Sequence, residues 1–322
     1  ITARMEYALF AMKDQINESV PWLLRDPHST WTTVGPALVR ALALDADAEV
    51  LRETFRIASN LAVVSMHDPY AEGPPARNFT AGFSAQAGVS AAQTAVAGLT
   101  GSKTAIGVVY DPFETLLETG EFTTLFESLG DRWWITESYN KPYPSCRYTH
   151  PALDALRDID GIDAVDPTTI DRIHVETFAN AADMDHATPS TLTGAKFSIP
   201  YVLARYVESG AVELAHFEPA AIREGAVQAL ADRVAIDTAS SFDERFPEVW
   251  GARVTVETAD GRSLTAVREY PRGDYRDPMT DDEFEARTYR LLDWGLDDDV
   301  DDAVEALFAL PERSVESVVR FL

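Results

Sequence analysis

The 322-residue chain carries 27 Lys+Arg against 53 Asp+Glu, a formal net charge of −26 with His neutral. No apolar run reaches the ~18 residues of a membrane span, and the single cysteine, Cys146, excludes an internal disulfide framework, a Cys-rich zinc site and an iron–sulfur cluster held within the chain. So acidic a chain offers no net positive field to phosphates or to an anionic bilayer, so neither nucleic acid nor membrane is expected as a partner.

The hydrophobic share of 46% is ordinary for a globular protein. At ~150 residues per domain, the length suggests two domains. The opening ITARMEYALF does not read as a signal peptide, and a cytoplasmic protein is expected. Acid is spread along the chain, with one dense run at Asp297, Asp298, Asp299, Asp301 and Asp302. Lysines are limited to Lys13, Lys103, Lys141 and Lys196, and the other cations are arginines. Few lysines and many carboxylates suit a surface kept soluble in concentrated salt, where charge repulsion is screened, so a halophilic protein is expected.

In chain order, the first 130 or so residues read as helix. Tyr7, Leu9, Phe10 and Met12 open an apolar periodicity that runs to about Leu24, and Val39, Leu42, Leu44, Leu51, Phe55, Ile57 and Ala58 continue it. Pro69, Gly73, Pro74 and Pro75 mark a loop. The stretch Ala81–Leu99 is rich in Ala, Gly and Ser and reads as a tightly packed inner helix. Texture changes near Trp133. Trp134-Ile135-Thr136 is strand-like, 173–178 alternates, and Val234–Ile236 and Ala252–Thr258 follow as strands. Asp260-Gly261 between Val254-Thr255-Val256 and Leu264–Val267 predicts a hairpin. Helices are expected near Pro151–Ile159 and Ala195–Glu208. After Pro278, Thr280 with Glu283 forms a capping box, and helices follow over Val300–Leu310 and Ser314–Leu322. The fold class is therefore mainly α with an inserted α+β domain. A helical domain (1–136, completed by 271–322) accompanies a smaller α+β lid domain (137–270).

No G-x-G-x-x-G follows a strand, and Walker A, H-E-x-x-H and G-x-S-x-G motifs are absent. The six histidines show no ligand spacing, so neither a metal nor another cofactor is expected. The most informative segment is Lys141-Pro142-Tyr143-Pro144-Ser145-Cys146-Arg147-Tyr148-Thr149-His150. Two prolines fix an extended backbone, into which a lysine, a cysteine, an arginine and a histidine are set. On residues alone this is equally a rigid domain connector, with His150 capping the next helix.

The segment resembles the K-P-Y-P-x-C-x-x-T-H signature of the MmgE/PrpD family, which includes 2-methylcitrate dehydratase, cis-aconitate decarboxylase and iminodisuccinate epimerase. Leu129–Ile135 is similar to the family's lead-in. Gly98-Leu99-Thr100-Gly101 resembles its G-x-T-G turn, and Ala195-Lys196-Phe197-Ser198-Ile199-Pro200-Tyr201 its A-K-F-S-x-P-Y helix start. Gly273-Asp274 with Pro278-Met279-Thr280 resembles its closing block. The family pattern is entered partway, since the N-terminal D-D-T and H-P-G motifs are not found and the chain begins with Ile1. His28-Ser29-Thr30-Trp31 stands for a degraded H-P-T-G, and Arg77-Asn78-Phe79-Thr80-Ala81-Gly82 for K-x-L-H-x-G.

The resemblance implies a cofactor-independent lyase or isomerase that breaks a bond beside a carboxylate of a small di- or tricarboxylate, working as a homodimer. Such chemistry needs cations for the carboxylates, a base for a carbon-bound proton and an acid for a leaving hydroxyl. Lys141, Tyr201 and His28 are the expected catalytic residues. Arg77, Arg147, Cys146 and His150 are the expected substrate-binding residues. Arg77 keeps charge but cannot act as a base. The altered Arg77 and Thr80 positions and the missing D-D-T leave open a non-catalytic carboxylate-binding or partner subunit.

Overall fold

The computed structural model describes residues 25–26, 32–61, 65–66, 79–104, 131, 133–310, 312, 314, 316–319 and 321. The expected helix over 7–24, the loop at 69–75, His28 and Arg77 lie outside the described residues. The chain divides into two compact units, Ile1–Glu137 and Ser138–Leu322.

In the first unit, a two-residue ladder pairs β1 (Arg25–Asp26) antiparallel with β2 (Ser65–Met66). Three helices carry the packing: α1 (Val34–Leu42), α2 (Ala48–Asn60) and α3 (Thr80–Val96). Asp47 starts α2 by accepting from the amides of Glu49 and Val50 at 3.0 and 2.9 Å, which satisfies two otherwise orphaned donors. Val34, Ala37, Ala58 and Ala91 form the shared core, with Leu38, Phe55 and Ile57 packed against it. The small residues of α3 are there for close approach. A Cβ on Gly88 would lie 2.1 Å from the Thr33 carbonyl oxygen. The G-x-T-G turn has a similar cause. Gly101 donates its amide to the buried Glu53 carboxylate at 2.8 Å, and a Cβ there would meet the α2 backbone at 2.7 Å. Trp134–Glu137 is a 3-10 turn, not a strand. Both the amide and the hydroxyl of Thr136 bond back to the Trp133 carbonyl, at 3.0 and 2.7 Å, closing the turn locally.

The second unit is built on α4 (His150–Arg157) and a four-stranded mixed sheet. Its strands are β3 (Ile170–Thr177), β4 (Val234–Thr238), β5 (Ala252–Thr258) and β6 (Ser263–Arg268), in the order β4-β3-β5-β6. β3 and β4 are parallel, and the other pairs are antiparallel. The hairpin at Asp260-Gly261 joins β5 to β6, with Gly261 at φ +83°. Alternation puts Ile170, Ile173 and Val175 of β3 and Ala252, Val254 and Val256 of β5 inside, where α4 contributes Leu153 and Leu156. A parallel pair needs a long crossover, and the β3–β4 connection contains α5 (Leu192–Lys196), α6 (Ile199–Ser209) and α7 (Gly225–Ala231).

The single helix expected over Ala195–Glu208 is thus two. Pro200 has no N–H to give the Lys196 carbonyl in the i→i−4 position. Ser198 caps the restart by accepting from the Tyr201 amide at 3.0 Å. The chain then closes with α8 (Asp281–Gly295), α9 (Val300–Phe308) and a turn of helix at Glu316–Val319. Thr280 and Glu283 make the expected reciprocal capping box. The chain is mainly helical with a smaller α+β region, the fold class read from its sequence.

Candidate active site

The segment 139–150 is held at both ends. The Asn140 amide donates to the Gly273 carbonyl at 2.9 Å, and the Cys146 amide donates to the Lys196 carbonyl at 2.8 Å. The second bond uses the acceptor that Pro200 left open. Between these anchors the backbone bends at each of residues 142–145, where a straight extended run was expected. Each proline fixes φ at its own position, but the two anchors set the path. The loop closes on itself when the Lys141 ammonium reaches the Ser145 carbonyl at 3.3 Å.

His150 opens α4 and is fully buried. Its Nε2 lies 3.4 Å from the same Ser145 carbonyl, and its Nδ1 lies 2.5 Å from the Tyr139 hydroxyl. A neutral ring satisfies both, with Nε2–H donating to Ser145 and Nδ1 accepting from Tyr139. Burial, then the charge of Lys141, pushes the imidazole well below its ordinary range. The rings of Tyr139 and Tyr143 meet it edge-on at 5.6 and 5.1 Å. Both ring nitrogens are thus spent on the segment. His150 sets the position of the Ser145 carbonyl, and through it that of Lys141.

Arg147 is stacked 3.7 Å above the Trp250 ring and 4.4 Å from the Tyr139 ring, and it donates to Asp274 at 3.2 Å. Burial lowers its pKa against the pull of Asp274. Its Nε is buried with no hydrogen-bond partner. Asp274, itself buried, also accepts from Arg276 Nε at 2.7 Å. Cys146, in no disulfide, contributes its backbone to the anchor described above. Tyr201 is fully buried, and its hydroxyl donates to the His216 carbonyl. Proton donation by Tyr201 would require that bond to open. The structure therefore gathers Lys141, Cys146, Arg147 and His150 on one strapped segment. Tyr201 follows on α6, five residues beyond the Lys196 anchor.

Sequence reasoning missed Asp154, Trp250 and Tyr139. Asp154 is buried on α4, where it accepts from the Tyr143 hydroxyl and, at 2.7 Å, from the Arg272 amide. Burial raises its pKa, and these two donors oppose the shift. An acid set among Ala152, Leu153, Ala155 and Leu156, all buried, was the available signal. Trp250 carried none, because its meeting with Arg147 is purely tertiary. Among the described residues, no three His, Cys, Asp or Glu side chains converge to hold a metal ion. No described helix is long and apolar enough to cross a membrane.

Three separated blocks, 140–150, 195–201 and 273–274, thus meet in one backbone-bonded assembly, and residues 143–310 match the family model described as the MmgE/PrpD C-terminal domain. The chain belongs to the MmgE/PrpD family. Across 232 residues it is 27% identical to the cis-aconitate decarboxylase-like protein oryM of Aspergillus oryzae, a match covering 67% of this chain and 48% of that protein. This MmgE/PrpD chain therefore spans about half the length of the curated relative it matches.

Proposed function

We propose that the chain serves a cofactor-independent MmgE/PrpD-type lyase acting on a small di- or tricarboxylate, in the manner of a 2-methylcitrate dehydratase. The observation that carries the reading is the placing of the Lys141 ammonium. It donates to the Ser145 carbonyl, and two backbone anchors fix the segment that carries it, in a chain with few lysines. A preorganised cation beside a carboxylate stabilises negative charge as the neighbouring carbon loses its proton.

In this reading Lys141 holds a substrate carboxylate and carries a proton, and Arg147 supplies further donors from its stack on Trp250. His28 and Arg77 complete the set expected from the resemblance, and Tyr201 donates a proton once released from His216. Dehydration would then remove a carbon-bound proton and expel the hydroxyl as water.

The name of the oryM relative favours a second reading, decarboxylation of an unsaturated tricarboxylate, since a carboxylate clamp of this type serves either outcome. Incubation with 2-methylcitrate and with cis-aconitate, followed by mass spectrometry, separates them. Loss of 18 Da from the first substrate is the dehydratase result, and loss of carbon dioxide from the second is the decarboxylase result. A chain that binds both without converting either would instead support a carboxylate-binding subunit. The division into 1–136 with 271–322 and a lid over 137–270, a homodimeric state and adaptation to salt belong to the same proposal.

A further inference from the structure

We propose that Trp250 is a positioning residue of the candidate site: it holds the Arg147 guanidinium so that its Nη end is presented to a substrate carboxylate. The proposal rests on the reading of the Lys141–His150 segment as the substrate site and of Arg147 as a ligand there.

Trp250 has a rigid seat. Its indole Nε1–H donates to the Pro247 carbonyl at 2.7 Å. It stands just ahead of β5, and the carbonyl of its neighbour Gly251 accepts from the Thr177 hydroxyl of β3 at 2.8 Å. The rings of Tyr148, Phe178 and Phe246 lie 5.2, 5.7 and 5.4 Å from its own. The residue is buried. A tryptophan fastened at its polar tip, at its backbone neighbour and around its ring has little freedom to yield to what rests on it.

What rests on it is a cation. The Arg147 guanidinium carbon lies 3.7 Å from the Trp250 ring centroid and 4.4 Å from that of Tyr139. A guanidinium is attracted to aromatic faces at this range. The buried Asp274 takes Nη2 at 3.2 Å. Nε is buried, yet the side chain keeps 28% of its surface exposed. A carboxylate arriving from solution therefore meets the guanidinium at its Nη end, and two rings with one carboxylate decide where that end points. A long side chain that must be ordered on binding loses affinity, and a fixed face under the cation removes that loss beforehand. A Trp250 that only filled the aromatic cluster would add stability, with no link to the charge on Arg147.

A double-mutant cycle read by calorimetric titration with cis-aconitate tests this. Trp250→Leu is expected to weaken binding roughly five- to tenfold. Trp250→Phe, which keeps a ring under the cation, should weaken it by less than about threefold. Trp294→Leu, on α8, should match the wild type. In an Arg147→Met background, itself weakened roughly tenfold, Trp250→Leu should add less than about twofold, because no guanidinium is left to hold. If Arg147→Met is weakened but Trp250→Leu binds like the wild type, or weakens binding by the same factor in both backgrounds, the role of Trp250 is overturned and Arg147 stands as a ligand. If Arg147→Met binds like the wild type, or the wild type does not bind, both ideas fall. Should Trp250→Leu not fold, or Arg147→Met bind too weakly for the cycle to close, fluorine NMR of the wild type carrying 5-fluorotryptophan decides, with the Trp250 signal assigned by its loss in Trp250→Phe. A Trp250 signal that shifts as cis-aconitate saturates the protein, while that of Trp294 stays, supports the proposal. A Trp250 signal unmoved at saturation overturns it.

Discussion

The amide of Asn140 donates to the carbonyl of Gly273 at 2.9 Å, fastening the lysine segment to the turn that precedes α8. Gly273 sits at φ +92°, and a Cβ on it would lie 1.9 Å from the Asn140 carbonyl oxygen. The turn adds the Arg272 amide on Asp154 at 2.7 Å and the Asp274 carboxylate on Arg147 at 3.2 Å. The position of Lys141 is thus set from a remote part of the chain.

Gly273→Ala should be far more damaging than Gly261→Ala. Both glycines have positive φ, but a Cβ on Gly261 meets nothing within 4 Å. Left-handed backbone costs an L-residue roughly 1–2 kcal/mol. Gly261→Ala should lose about that much, whereas Gly273→Ala must also move the Asn140 backbone. Thermal melting of the two variants checks this, with the larger fall expected for Gly273→Ala.

Asp154→Ala should destabilise by roughly 2–4 kcal/mol, because it strands the Tyr143 hydroxyl and the Arg272 amide beneath the segment. Asp154→Asn keeps an acceptor oxygen and should lose about half as much. Equal melting temperatures for wild type and Asp154→Ala would show that this buried acid holds nothing.

Acid should weaken the native state through His150. Its folded pKa lies well below the ordinary 6.5. Once pH falls below 6.5 the unfolded chain takes up a proton that the native chain refuses. Stability then drops by up to about 1.4 kcal/mol per pH unit until the native pKa is reached. Above pH 7 the residue adds no slope. His150→Gln, melted at intervals from pH 8 to pH 5, should show a shallower decline than the wild type.

Much of this was legible in the residues. The β5–β6 hairpin rested on Asp260-Gly261, the α8 start on Thr280 and Glu283, and the close-packed α3 on its small side chains, each a local cause. What escaped was set by tertiary bonds. Trp134–Thr136 closed as a turn because Thr136 bonds backwards. The break between α5 and α6 could have been read from Ser198 and Pro200, but its use, an open Lys196 carbonyl for Cys146, could not. The motif at 141–150 announced an important segment. That His150 lies beneath it, and that Arg147 stacks on Trp250, came from packing.

Salt should stabilise the protein. With a net charge of −26, self-repulsion opposes the compact state, and the Debye length shrinks from ~10 Å at 0.1 M to ~3 Å at 1 M. The melting temperature should rise between 0.1 M and 1 M KCl. A flat response would contradict the salt-adapted reading.

The proposed function stands on the Lys141 ammonium of the strapped segment binding a substrate carboxylate. Binding of cis-aconitate is compared for the wild type, Lys141→Ala and Lys103→Ala, both lysines being exposed and only the first lying on the strapped segment. A charge-assisted hydrogen bond to a ligand is worth about 1.5–3 kcal/mol, and a lysine that touches no ligand adds far less. Lys141→Ala is expected to lose binding by at least roughly tenfold while Lys103→Ala keeps wild-type affinity. Equal affinity for all three proteins would contradict it.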